Sequence, residues 1–309
     1  MNTCTDCIPC LVTQLREFLR LTVTDEAVAQ RLCRGALRVL AAADLDAPPS
    51  VVVRRPLRRL RRQTGNDDPF LAIKARFNTL ALQLLPAFEA RVAAAPDPFA
   101  AAVRLAIAAN VIDFGIGKPV TEKQVLHELE NAMDAPVAGD IPAFARAVRR
   151  ARRILYLGDN AGEIVFDRPL LQRLPPGRVS FAVRGGPVAN DALLTDAAAS
   201  GLTALLPVIA NGADIAGTWL PACSPAFRDA FAAADLIIAK GQGNFETVHD
   251  APKRIFALFM VKCPVVARVT GLPLGSKVLL RCGDREKRGR CKRSTCNTQH
   301  STLKEDQPR

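Results

Sequence analysis

Aromatic side chains make up only 5% of the 309 residues, with a single tryptophan, Trp219, and a single tyrosine, Tyr156. The core must therefore be built from Ala, Leu, Val and Ile, and the basic runs lack the interleaved aromatics on which nucleic-acid bases stack. No apolar run reaches the roughly 18 residues of a membrane-spanning helix. The N-terminus also lacks the basic-then-apolar order of a secretory leader, so the expected setting is cytoplasmic with no membrane partner. Histidine is scarce. His127, His249 and His300 are too dispersed to make a site and read as surface or satisfied side chains. The nine cysteines are odd in number and scattered, which is not the pattern of a secreted disulfide framework.

Apolar residues, by contrast, are plentiful at 49%, with 23% charged, the composition of a globular chain that buries a sizeable core. The net charge is +12, yet it is concentrated in two places. Six of the nine residues from Arg54 to Arg62 are arginine, and the last 29 residues hold nine basic against four acidic side chains. Such runs read as solvated faces, and nucleic acid is not the expected partner.

From Leu11 to about Arg150 the apolar positions recur at helical spacing, as in Leu11, Leu15, Phe18 and Leu19. After Arg153 the texture changes to short apolar runs alternating with helical stretches. These runs are Ile154 to Leu157, Val179 to Val183, Ala204 to Ile209, Leu236 to Ala239, Pro264 to Ala267 and Val278 to Leu280. The expectation is an α/β protein, with a helical part over 1–150 and a three-layer α/β/α sandwich on a mostly parallel sheet over 151–280. Residues 281–309 are polar, basic and aperiodic, and are expected to form a disordered tail. A Cys3His zinc site from Cys282, Cys291, Cys296 and His300 fits no compact knuckle spacing.

In open parallel sheets, ligands bind beyond the carboxyl ends of the strands. Three such ends carry Asp159-Asn160, Asn190-Asp191 and the loop Lys240-Gly241-Gln242-Gly243-Asn244-Phe245-Glu246. Asp159, Asn160 and Asp191 offer oxygen ligands suited to a hard divalent cation such as Mn, Co, Ni or Mg, with positions left for water and a phosphate. Lys240 could neutralise the remaining phosphate charge, and Asp159 or Asp191 could accept a proton. Taken singly, each element also reads as an Asx turn, a helix cap or a plain turn.

Six segments resemble, in order, the motifs of the DUF89, or ARMT1-like, damage-control phosphatases. They are Asp6-Cys7-Ile8-Pro9-Cys10, Gly65-Asn66-Asp67-Asp68-Pro69, Asn110 to Gly115, Gly158 to Glu163, Asn190-Asp191 and Lys240 to Glu246. The resemblance covers about residues 1–280 and is to the prokaryotic branch with N-terminal cysteines. It implies a metal-dependent phosphatase of small phosphorylated, often damaged, metabolites. It implies further that Asp159, Asn160 and Asp191 hold the metal and that Lys240 contacts phosphate. Asn110, Asp113, Glu163, Asn244 and Glu246 become candidates for substrate binding or for shaping the site. In-line attack of an activated water is the expected route; an aspartyl-phosphate on Asp159 ranks second, because Ala161 stands where a second aspartate would be expected.

Two alternatives remain open from sequence. One is an S-adenosylmethionine-dependent methyltransferase, which would carry a Gly-rich loop after its first strand where this chain is acidic. The other is a nucleic-acid or cluster-binding module that uses the basic runs and the cysteines. Cys4, Cys7 and Cys10 stand at three-residue steps that can place three thiolates on one metal or cluster, with no fourth ligand nearby. Small buried cysteines at a helix entrance are the competing reading.

Overall fold

A computed structural model describes residues 1–110 and 122–283. The chain enters through helices Ile8–Thr22, Glu26–Ala41 and Arg54–Thr64, whose apolar stripes meet in a cluster of Leu11, Leu15, Phe18, Leu32, Ala36, Leu57 and Leu60. The next helices, Leu71–Ala93 and Pro98–Ala109, face the sheet instead and share its core. Local signals start several of these helices. Asp25, Asp97 and Asp140 each accept a first-turn backbone N–H, and proline follows Asp97 directly and Asp140 one residue on.

Seven strands form one sheet: β1 (Val137–Gly139), β2 (Ile154–Leu157), β3 (Val179–Val183), β4 (Val208–Ala210), β5 (Leu236–Lys240), β6 (Ile255–Met260) and β7 (Lys277–Cys282). Their order is β1-β7-β6-β5-β2-β3-β4, and every neighbouring pair is parallel except β6 with β7. Alternate residues serve opposite faces. Ile154, Tyr156, Phe181 and Ile238 pack under helices 71–109, whereas Leu155, Leu157, Ile237 and Ala239 meet Phe227, Phe231 and Val248 on the other side. Three layers result, as expected from the sequence.

Five details differ from the sequence reading. Val137–Gly139, inside the segment expected to be all helical, is an edge strand, and Ile255–Met260 is a strand that the reading did not single out. Pro264 to Ala267 opens the helix Pro264–Thr270, because Pro264 sits at its first position and Cys263 caps it through Sγ. An apolar run that short has no period with which to separate helix from strand. Ala204 to Ile209 divides between the helix Leu202–Leu205 and β4. Arg281 and Cys282 belong to β7; Cys291, Cys296, His300 and the rest of the tail lie outside the described residues.

The arginine helix also departs from expectation. It is not simply a solvated face: Arg54, Arg58 and Arg61 converge on Asp214, at 2.6, 2.7 and 3.2 Å, and Arg61 also donates to the Pro187 carbonyl. Three of the six arginines thus tie the first helices to the loops after β3 and β4. Burial alone would raise the Asp214 carboxyl, but hydrogen bonds from Arg58 and Arg54 outweigh it and hold the group below the usual range. Asp214→Asn is expected to lower stability by about 2 kcal/mol at neutral pH, read from the urea midpoint. Because the folded value is depressed, that stabilisation is present above the unfolded value of about 3.9 and is lost as pH falls through the folded one. Wild-type and variant midpoints should therefore converge in acid.

Candidate active site

The site is built where β2 and β3 end side by side. Beyond β2 the chain runs Gly158-Asp159-Asn160, and the loop after β3 folds back so that Asp191 N–H meets the Val188 carbonyl at 3.0 Å. Two further backbone bonds lock the segments together. Ala192 N–H donates to the Asp159 carbonyl at 2.8 Å and Ala161 N–H to that of Asn190 at 2.9 Å, closing an antiparallel bridge between Asn160 and Asp191. Three oxygen-bearing side chains from distant sequence are thereby fixed in one place.

Arg184, only 2% exposed, spans this centre. Its Nε donates to Asp191 Oδ2 at 2.6 Å, Nη2 to Asp159 Oδ1 at 3.2 Å and Nη1 to Asn244 Oδ1 at 3.3 Å. Asn244 in turn donates to the carbonyls of Gly158 and Lys240, pinning the end of β2 to the start of the helix Gly241–Val248. Gly241 has φ 78°, and a β-carbon there would lie 1.8 Å from Asp159 Oδ2. Only glycine lets the chain turn so close to that carboxylate.

Behind the centre lies a buried polar network. Asn110, at the end of helix Pro98–Ala109, donates to Asp159 Oδ2 and Glu163 Oε2, and accepts from the N–H of Met260. Asn160 Nδ2 reaches the same two carboxylate oxygens at 2.9 and 2.8 Å, which turns its carbonyl end away from them. Lys240 is fully buried, with Nζ 2.9 Å from Glu163 Oε1 and 2.5 Å from Asp167 Oδ1. Tyr156 donates to the same Asp167 oxygen. The lysine expected to meet phosphate is thus turned inward on two carboxylates.

Charge is crowded here. Burial raises the Asp159 carboxyl well above its usual range, and the charges of Glu163 and Asp191 add to this against the pull of Arg184 and Lys262. Asp191 is also raised by burial, opposed by Arg184. For Glu163, burial is outweighed by Lys240 and the net direction is down, whereas Asp167 is raised to about 6 by burial.

Several contributors escaped the sequence reading. Arg184 stands immediately after β3, and Lys262, exposed and acting on Asp159, lies two residues past the unrecognised strand β6. Lys74 and Asn78, one turn apart on helix Leu71–Ala93, support the site from the helical side. Asn78 accepts from Gly162 N–H at 2.7 Å and donates to Asp196, while Lys74 pairs with Asp68 at 2.6 Å, which gives the Gly65–Pro69 motif a partner. Spacing marks none of these, since each partner lies on a distant element.

Glu246 is not brought to the centre. It stands two positions from Asn244 on the same short helix, close to opposite faces, and its carboxylate accepts from Gln242 at 2.8 Å. Asp113 lies outside the described residues. Cys4 and Cys7 are neighbours, but Cys10 is exposed, and among the described residues no three His, Cys, Asp or Glu side chains converge on one point. Of the three cysteines that spacing groups, the described contacts bring Cys4 and Cys7 together.

Comparison with known proteins bears on what such a centre does. A family model for the damage-control phosphatase ARMT1-like domain matches residues 3–278. A protein named damage-control phosphatase from Pyrococcus horikoshii is 34% identical over 282 residues, covering 89% of this chain and 96% of its own. Another so named, from Archaeoglobus fulgidus, is 30% identical over 278 residues, covering 88% and 96%. The crystal structure of a DUF89 family protein from Pyrococcus horikoshii matches with TM-score 0.84 and 33% identity, over 91% of this chain and 99% of that one. These matches favour the phosphatase expectation over the methyltransferase and the nucleic-acid or cluster-binding alternatives. Among the described residues no helix is long and apolar enough to cross a membrane.

Proposed function

The chain belongs to the ARMT1-like damage-control phosphatase family, and we propose that it uses a divalent cation to hydrolyse phosphate monoesters of small, damaged or unwanted metabolites. The observation that carries this reading is the backbone-locked meeting of Asp159, Asn160 and Asp191 beside Glu163. The donor set is two carboxylates and an amide oxygen, all hard, and a 2+ ion would offset both the burial that raises Asp159 and the added repulsion of Glu163 and Asp191. The donor types fit the group, Asn160 once its amide turns over from the Nδ2 contacts to Asp159 and Glu163. Asp159, Asn160 and Asp191 would hold it, and when bound it supplies Lewis acidity toward a phosphoryl oxygen and ionisation of water near neutral pH.

The chain's own residues then divide the remaining tasks. Arg184 orients both aspartates through its Nε and Nη2 hydrogen bonds. Asn110 and Asn160 fix Asp159 relative to Glu163, whose charge Lys240 balances from behind. Lys262 is exposed and its charge acts on Asp159, whereas Lys240 is buried on two carboxylates, so Lys262 is the better candidate to meet phosphate oxygens.

The test is a metal-by-substrate screen on chelator-stripped protein with a panel of sugar and cofactor phosphates. Phosphate release should be absent without metal and return with Mn, Co, Ni or Mg. Release that is indifferent to chelation, or none with any metal, contradicts the reading. In the same screen Lys262→Ala should raise KM several-fold more than it lowers kcat; an unchanged KM would remove Lys262 from phosphate binding.

A further inference from the structure

The N-terminal turn holds a feature that the phosphatase reading does not use. Cys4 Sγ and Cys7 Sγ lie 3.8 Å apart, and the turn between them is closed by a 2.9 Å hydrogen bond from Cys7 N–H to the Cys4 carbonyl. A turn so closed keeps its end Cα atoms within about 7 Å, the limit beyond which a disulfide cannot bridge them. Rotation of the two side chains is then enough to bring the sulfurs to bonding distance. We infer that Cys4 and Cys7 are a reversible dithiol–disulfide couple, oxidised by exchange with a low-molecular-weight disulfide of the glutathione class.

The surroundings set the order of events. Cys4 is half-buried, with the Arg268 guanidinium 3.9 Å from its sulfur and held there by a 2.6 Å pair to Asp6. Cys7 is buried, and its thiol is pushed up to about 12, first of all by that burial. The accessible Cys4 therefore attacks first. Its thiolate bonds to one sulfur of the small disulfide, whose S–S bond breaks to release one thiolate. Cys7, losing its proton to solvent, then attacks Cys4 Sγ and displaces the second. In balance, two protein thiols are oxidised to one disulfide while one small disulfide is reduced to two thiols. Cys10 is exposed in the first turn of helix Ile8–Thr22, and among the described residues no group of three His, Cys, Asp or Glu is placed to hold a metal, which favours a disulfide between Cys4 and Cys7.

The couple shares no residue with the Asp159 centre, so its test is independent of phosphatase activity. Full-length protein is treated with excess oxidised glutathione and mapped by tandem mass spectrometry. Wild type and Cys10→Ser should both lose two hydrogens across Cys4 and Cys7, carry no glutathione there, and recover both thiols with dithiothreitol. Cys7→Ala, which stops after the first step, should retain one glutathione on Cys4. A cross-link to Cys10, a glutathione adduct persisting on wild-type Cys4, free thiols throughout, or stoichiometric zinc bound to the pair would each overturn the assignment.

Discussion

Asp159→Ala should lower kcat by about a thousandfold, the scale seen when an oriented electrostatic group is removed from a reaction centre. It should do so without unfolding the protein. In the metal-free state Asp159 is a buried carboxylate pressed by Glu163 and Asp191, so its removal relieves repulsion, and Arg184 keeps its 2.6 Å bond to Asp191. The melting temperature of chelator-stripped variant should therefore equal or exceed that of stripped wild type, while the gain on adding Mn2+ disappears. A merely structural Asp159 would give the opposite: lower stability in both conditions and a proportionate, modest loss of activity.

Lys240→Met should instead act on the fold. Its ammonium is the positive charge that the 0%-exposed side chains of Glu163 and Asp167 contact directly, and removing one member of a buried ion pair costs about 3–5 kcal/mol because the other charges are left unpaired. Thermal or denaturant unfolding should register that loss. Adding Asp167→Asn to Lys240→Met removes one of the stranded carboxylates and should restore part of it. Were Lys240 a phosphate contact facing substrate, the pattern would reverse, with near-normal stability, a raised KM and no rescue by Asp167→Asn.

Much of the architecture was legible because its signals are local. The alternation of short apolar runs with helical stretches specifies a parallel sheet, and the acidic residues just past Leu157 mark the rim that such sheets use. The same signal singles out Asp159, Asn160 and Asp191 as candidates, and the backbone bridge between residues 160 and 191 explains why they lie together. What sequence could not supply was direction. Lys240 is at a strand end, but β5 is central and covered on both faces, so its side chain runs into the core toward Asp167, a residue on a different element. The arginine run misled for a related reason: a basic helix looks solvated until Asp214, about 150 residues on, is seen beneath it. Arg184, Lys262 and Lys74 carry no motif at all, and only the tertiary fold brings them within reach of the aspartates.

The central claim is that Asp159, Asn160 and Asp191 form a cation site. Calorimetric titration of chelator-stripped protein with Mn2+, in the absence of any substrate, tests it without reference to turnover. One ion per chain should bind wild type, with binding lost or weakened at least about tenfold in Asp191→Asn and retained in Asp214→Asn, which lies outside the centre. Equal Mn2+ affinity in wild type and Asp191→Asn, or no binding by wild type, would contradict it.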